Sequence, residues 1–378
     1  MRLTAVGDIL MHYDVKRVGA EAKDGLQALW ADVTPLIQGA DLAFANLECP
    51  VAPTSGRPGQ PFQFNAPEGL PAALRASGFS VLSTANNHAY DQGAKGVRET
   101  LERLQAAGLA TVGSGATRAQ AEAPLILEVK GLKVAFLAFT DLFNVDLNRK
   151  ADQPWVRSLD PKAAVAAVRA ARAQADAVVV SVHWGAEYLH QPLQRQRDLA
   201  GKLAEAGADL ILGHHPHVLQ GVEVVATGDR KTVVVYSMGN FVSNQDRMYR
   251  ADLFPVAGGD NRDGVAVTCR LVKLRLADGS ERVRVEDTRC EPLWTENNWR
   301  EHRQGQAKRR EIRVIAVNRA IHATLETLDR LREGQGDAAP DRARLLERQE
   351  YLRTLLLRRA RAAEILGAAW VEGGAGAP

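Results

Sequence analysis

The chain is 378 residues long, 46% hydrophobic and 25% charged, with a formal net charge of +3 and a pI near 8.8. That is enough apolar material for one large core and a smaller appendage, since domains commonly run ~100 to 250 residues, and it excludes bulk disorder. The charge is too mild to single out a polyanionic partner, and no nucleic acid is expected.

Cys49, Cys269 and Cys290 are too few and too scattered for a disulfide framework, and none sits in a CxxC pair. The opening MRLTAVGDILMH reads as a strand running into a polar motif, without the apolar region of a signal peptide. No run of ~18 apolar residues follows, so no membrane span is expected. As written the chain is expected to be soluble, and either cytoplasmic or exported after an N-terminal signal is trimmed.

The predicted strands in the first two thirds are Leu3 to Val6, Leu42 to Ala45, Phe79 to Ser83, Val134 to Phe139, Ala177 to Val182 and Leu210 to Leu212. Amphipathic helices near Leu26 to Ile37, Ala94 to Ala107, Ala163 to Ala173 and Leu193 to Ala206 lie between several of them. Such alternation predicts a largely parallel sheet, with ligand groups at the carboxyl ends of its strands. From Val222 onward the runs KTVVVYSMGNF, DGVAVTCRLVKLRL and ERVRVEDT, with Asp278 and Gly279 as turn residues, predict a second, antiparallel or mixed sheet.

After Trp299 the composition shifts to Arg, Glu, Leu and Ala. Val314, Val317, Ile321, Leu325 and Leu328 fall on one helical stripe, and the breaker Gly334 to Pro340 separates it from a second helix carrying Leu345, Leu352, Leu356 and Leu366. The Arg-rich faces of this hairpin are read as solvated rather than as a nucleic-acid or lipid surface. The expected organisation is a main domain over 1–298, a helical region over 299–371 and a disordered tail over 372–378.

Metal-ligand residue types cluster where the strands end. Asp8 and His12 follow the first strand, Asn46 and Glu48 the second, and Asn86, Asn87 and His88 the third; His183 ends another, and His214, His215 and His217 close ADLILGHHPH. Residues two apart at a strand end point the same way, which puts His215 and His217 on one face and turns His214 away, toward a supporting or substrate role. A set of imidazole, carboxylate and amide ligands without thiolate suits Mn, Fe or Zn. Two such ions sharing a carboxylate activate water and clamp attacking and leaving oxygens, which fits phosphoester hydrolysis.

Asn87 supplies a neutral oxygen, while His88 beside it points elsewhere and is free to touch substrate. Asp91 is read equally as a partner orienting His88 and as a helix N-cap. In HWGAEY, Trp184 and Glu187 are candidates for an aromatic wall and an acid of the pocket. In SMGNF, Gly239 and Asn240 form a turn that admits close backbone approach to an ion or substrate.

Taken in order, GDILMH, NLECPV, NNHAYDQG, VHWGAEY, GHHPHVLQGVE and SMGNF resemble the motif series of the CapA family of capsule and poly-γ-glutamate synthesis proteins, over roughly residues 1 to 245. That family is in turn similar to the calcineurin-like metallophosphoesterases. The resemblance implies an α/β fold, a metallophosphatase-like α/β/β/α sandwich here followed by a C-terminal helical hairpin, and a site with two divalent metal ions. It implies one ion on Asp8, Glu48 and His217 and the other on Glu48, Asn87, His183 and His215. Two departures stand out: His12 lies four residues after Asp8 where the phosphoesterase pattern has two, and Glu48 replaces the bridging aspartate. The functions implied are a metal-dependent hydrolase acting on an anionic substrate or polymer, or a non-catalytic component of capsular polymer assembly that holds other assembly proteins.

Overall fold

The computed structural model describes residues 1–250, 258–275, 279, 281–333 and 342–372. In chain order its strands are β1 (Arg2–Ile9), β2 (Leu42–Leu47), β3 (Val81–Ser83), β4 (Ala110–Val112), β5 (Ser114–Gly115), β6 (Leu125–Val129), β7 (Leu132–Thr140), β8 (Trp155–Val156), β9 (Ala177–His183), β10 (Leu210–His214), β11 (Leu219–Thr227), β12 (Arg230–Met238), β13 (Asn240–Val242), β14 (Asp263–Arg275), β15 (Glu281–Asn297) and β16 (Ile312–Ala316). One sheet runs β16-β15-β14-β1-β2-β3-β4, with β13 beside β1, and the other runs β11-β12-β10-β9-β7-β6. Within them β1, β2, β3 and β4 are parallel, as are β7, β9, β10 and β12.

Alternation along each central strand builds the layers. Val134, Phe136 and Ala138 of β7 and Val179 of β9 face Leu3, Ala5 and Phe44 of the other sheet in the central core. Ala135, Leu137, Phe139, Val178 and Val180 face outward under the helices Pro161–Arg172 and Gln194–Ala206. Both faces of these strands are therefore covered, which is why they read as continuous apolar runs. On the far side Val6, Ile9, Ala43 and Ala45 pack beneath Val15, Leu29, Trp30 and Ile37. The result is the expected α/β/β/α sandwich with C-terminal helices.

Local signals set the helix limits. Asp160 caps Pro161–Arg172 by accepting from the Ala163 amide, with Pro161 opening the helix. Gln194–Ala206 stops at Gly207, whose φ of +115° an L side chain rarely adopts.

Three expectations change. The parallel strands do not form a single sheet with the later strands set apart: β14 pairs antiparallel with β1, and β12 pairs parallel with β10, so each sheet is mixed. The helix expected over Leu26 to Ile37 is a 3-10 turn, Gly25–Trp30, followed by a short helix, Thr34–Gln38, because Pro35 has no amide hydrogen and suits a first turn. Val314 lies on β16, paired with Thr295, so the helical stripe begins at Val317.

The terminal helices Val317–Glu333 and Arg342–Leu366 pack together, and Ala362, Leu366, Trp370 and Val371 close the central core beside β11 and β15. The buried positions of the second long helix are Leu355, Arg358, Ala362 and Leu366, while Leu356 is exposed. Asp278, the segment Gly334 to Pro340 and the tail from residue 373 fall outside the described residues. Among the described residues no helix is long and apolar enough to cross a membrane.

Candidate metal centre

Parallel strands place their carboxyl ends along one edge of the sandwich, and both sheets contribute there. Asp8 near the end of β1, Asn46 and Glu48 at the end of β2, and Asn87 and His88 beyond β3 come from one sheet. His183 at the end of β9, and His214 to His217 at and after the end of β10, come from the other. Glu48, His183 and His215 offer ligand atoms all within 4.8 Å of one another, and so do Asp8, Glu48 and His217. Asn87 Oδ1 lies 2.9 Å from His183 Nε2, which is also 3.5 Å from Glu48 Oε1.

The histidine pair is not assembled by strand alternation. His214 is the last residue of β10, and both His215 (φ +94°) and His217 (φ +57°) occupy the left-handed region in the turn that follows. Such a conformation costs a non-glycine residue of order 1–3 kcal/mol and persists where surrounding contacts impose it. Here the His215 amide donates to Asp8 Oδ2 at 3.2 Å, and the His217 ring lies 3.1 Å from Asn240 Oδ1.

The residues around this core are engaged in holding it. His214 Nδ1 lies 2.9 Å from Asp8 Oδ1, and Asn46 donates to the same oxygen at 2.9 Å. Asn86 donates to the Leu47 carbonyl and to Asn46 Oδ1, tying the loop beyond β3 to β2. Gly239 (φ +63°) accepts from the Asp8 amide, so the close approach at this turn is between two backbones. The Asn240 amide group donates to Gln245 and to the Asn261 carbonyl, which leaves its Oδ1 to accept the His217 Nδ1 hydrogen. His217 then presents the lone pair of Nε2, 3.7 Å from Glu48 Oε1.

Electrostatics suit cations. Burial pushes Asp8 up, but hydrogen bonds and charge from His214 and His217 prevail and hold it well below the usual carboxylate range. Burial, then Asp8 and Glu187, drive Glu48 well above that range. Burial and neighbouring imidazoles hold His183 well below its ordinary value and bring His215 to about 4, so both keep free lone pairs at neutral pH. Glu48 Oε1 and His215 Nδ1 are buried with no hydrogen-bond partner. Buried polar atoms are rarely left so, and here they belong to residues that each offer a ligand atom to a common cluster, as ligands of divalent cations do.

His88 stands beside this set, not in it. Its Nδ1 lies 2.8 Å from Asp91 Oδ2, which also accepts from the Phe64 amide. Asp91 does not cap the following helix, whose N-cap is Gln92. The carboxylate fixes the proton on Nδ1, and Nε2 lies 3.4 Å from the Asn144 side-chain amide. Asn144, absent from the sequence reading, donates from its amide to the Asn87 carbonyl and hydrogen-bonds both the Asn87 and His88 side chains. It lies four residues beyond Thr140 at the end of β7, so inspecting that strand end as the others were inspected would have found it.

One candidate moves away from the role expected of it. Trp184 is buried in the outer core, and its indole NH donates to the Tyr236 carbonyl, so it is no pocket wall. His12 Nδ1 accepts from the Asn244 amide and its ring meets Phe64 edge-on, outside the ligand groups. Glu187 is exposed at the mouth, yet its carboxylate falls within 4.8 Å of ligand atoms of His215 and His217.

Comparison with known proteins places the chain in a family. Residues 2–245 match the family described as "Bacterial capsule synthesis protein PGA_cap". The chain is 34% identical over 288 residues to "Capsule biosynthesis protein CapA" of Bacillus anthracis, an overlap of 74% of this chain and 68% of that one. It is 36% identical over 243 residues to "PGA biosynthesis protein CapA" of Bacillus subtilis, with 64% and 62% covered. Among solved structures it is similar to a 5'-nucleotidase precursor from Thermus thermophilus, at 16% identity and TM-score 0.43, over 76% of this chain and 54% of that one. It is also similar to Haemophilus influenzae NAD nucleotidase, at 12% identity and TM-score 0.45, over 78% and 52%. On the extent of the family match and the identity to its curated relatives, the chain belongs to the bacterial capsule synthesis protein family PGA_cap.

Proposed function

We propose that the chain is a metal-dependent hydrolase of phosphoester or related linkages in an anionic substrate, serving capsule or poly-γ-glutamate metabolism. The observation that carries this reading is the buried, unpaired Glu48 Oε1, set between the imidazoles of His183 and His217. Asp8, Glu48 and His217 would hold one divalent ion, and Glu48, Asn87, His183 and His215 a second, with Mn, Fe or Zn as the metals. When bound, such ions activate water and neutralise charge on a transferring phosphoryl group.

The chain's own residues supply the rest. His214 and Asn46 fix the Asp8 carboxylate, and Asn240 fixes the His217 ring. His88, held by Asp91, would serve as the general acid from Nε2 in the form in which both ring nitrogens carry a proton, giving that proton to the leaving oxygen and keeping the one shared with Asp91. The substrate would be anionic because the ions would supply positive charge where an oxyanion lies.

The test is turnover of an aryl phosphate together with metal analysis. Turnover that disappears with chelator and in Asn87→Ala, and about two metal equivalents per chain that fall in His215→Ala, are expected. Metal uptake without hydrolysis of any mono- or diester would end the hydrolase reading. Metal-dependent binding of carboxylate-rich polymer would then favour an assembly component, the role suggested by the names of the two Bacillus relatives.

A further inference from the structure

We propose that the C-terminal helix Arg342–Leu366, which lies beyond the family match, positions the metal centre through Arg358. The inference rests on the reading that the cluster holds metal. Arg358 is only 1% exposed and, among the described residues, is the one arginine counted with the largest fully buried side chains. Its Nε donates to Asp263 Oδ1 at 3.1 Å, and its Nη2 donates to Asp263 Oδ2 and, at 2.7 Å, to Asp260 Oδ1. Arg361, one turn on, donates to Asp260 Oδ2 at 3.0 Å.

This pair of aspartates sits where three site segments meet. The Asp263 carbonyl lies so close to Gly239 that a Cβ there would be 2.5 Å away, and Gly239 in turn accepts from the Asp8 amide at 3.0 Å. Asn261, between the two aspartates, accepts from Asn240 Nδ2 at 2.9 Å, and Asn240 accepts from the His217 ring. Asp260 Oδ2 lies 2.8 Å from Nε2 of His190, whose Nδ1 is 2.9 Å from the Leu219 carbonyl. Both neighbours of that ring are acceptors, so it carries both protons, in keeping with its raised pKa beside Asp260. His190 belongs to the loop that brings Glu187 and Tyr188 to the mouth of the site.

A buried arginine facing two carboxylates is by itself only a stabilising device. What distinguishes Arg358 is where its contacts end. One path of contacts runs through Gly239 to Asp8 and the other through Asn240 to His217, ligands proposed for one ion; neither reaches Asn87 or His183, proposed for the other, and His215 meets the first path only through its backbone amide on Asp8. Arg358 is a positioning residue, and its loss should loosen one ion selectively.

Outer-shell partners of metal ligands typically contribute 10–100-fold in affinity. Titration of metal-free full-length protein with Co(II), followed by absorption, should therefore show one of two sites weakened about 10–100-fold in Arg358→Met and less in Arg358→Lys. Arg172→Met is the control: it breaks the 2.7 Å pair with Asp209 at the opposite end of β10 and should leave both sites unchanged. Unchanged affinities in Arg358→Met, or an equal loss in Arg172→Met, would overturn the proposal while leaving the hydrolase reading standing. A parent that takes up no Co(II) sinks both. Should Arg358→Met not fold, Arg361→Gln is read in the same way, expecting a smaller loss at the same site, and no loss there also overturns the proposal.

Discussion

Glu48 shows what the site costs the fold. A carboxylate that is fully buried, beside a second carboxylate, with one oxygen lacking any donor, is more stable protonated. Because its pKa is raised in the folded chain, Glu48 favours folding most below its unfolded value near 4.5, and that contribution is lost as pH rises toward the folded value. At neutral pH the metal-free protein therefore carries this residue at a loss. Glu48→Gln keeps the shape, can still accept from Asn46 and removes the charge. We expect the chelator-treated variant to be more stable than the chelator-treated parent at pH 7, by ~1 kcal/mol, and to bind no metal. A urea midpoint lower than the parent's under those conditions would show that Glu48 is held by contacts other than a cation.

At the scale of elements, the site depends on two backbones meeting. Gly7 on β1 has no room for a side chain: a Cβ would lie 1.9 Å from the Gly239 carbonyl oxygen, the atom that accepts from the Asp8 amide. Gly7→Ala must push the β13 turn away, so it should lower stability by ~1–3 kcal/mol and also release metal, through Asp8 and Asn240 together. Retained metal at parental affinity would mean that the turn yields without moving Asp8 or the His217 ring that Asn240 holds. Much of this layout was legible in sequence, because short apolar runs ending in Asp, Glu, Asn or His mark strand ends without ambiguity. Other features were not. The pairing of β14 with β1 depends on contacts some 260 residues apart, which no local pattern encodes. Val314 and Val317 fit a helical stripe equally well as the exit of a strand and the entry of a helix. The turn at His215 and His217 is set by Asp8 and Asn240, so it is these contacts and not strand alternation that bring the two rings together. Trp184 was misread because a residue next to a ligand at a strand end points to the opposite face, here into the outer core.

On the scale of the whole molecule, the proposed ligands divide between the two sheets: Asp8, Glu48 and Asn87 from one, His183, His215 and His217 from the other. An ion on Asp8, Glu48 and His217, or on Glu48, Asn87, His183 and His215, would thus fasten the sheets together across the end of the sandwich. The central core is also closed by apolar packing of Leu366, Trp370 and Val371, which needs no ion. Since the unfolded chain cannot assemble ligands so distant in sequence, binding energy becomes stability of the entire fold. With free metal at 100 times its dissociation constant, the gain is ~2.7 kcal/mol, which chelation should remove as a fall in the melting temperature of one cooperative transition. Amide exchange should then quicken in β2 and in β10 alike, on both sides of the interface. If exchange quickens only in the ligand loops while both strands keep their protection, the ions serve the site alone and the sandwich holds without them.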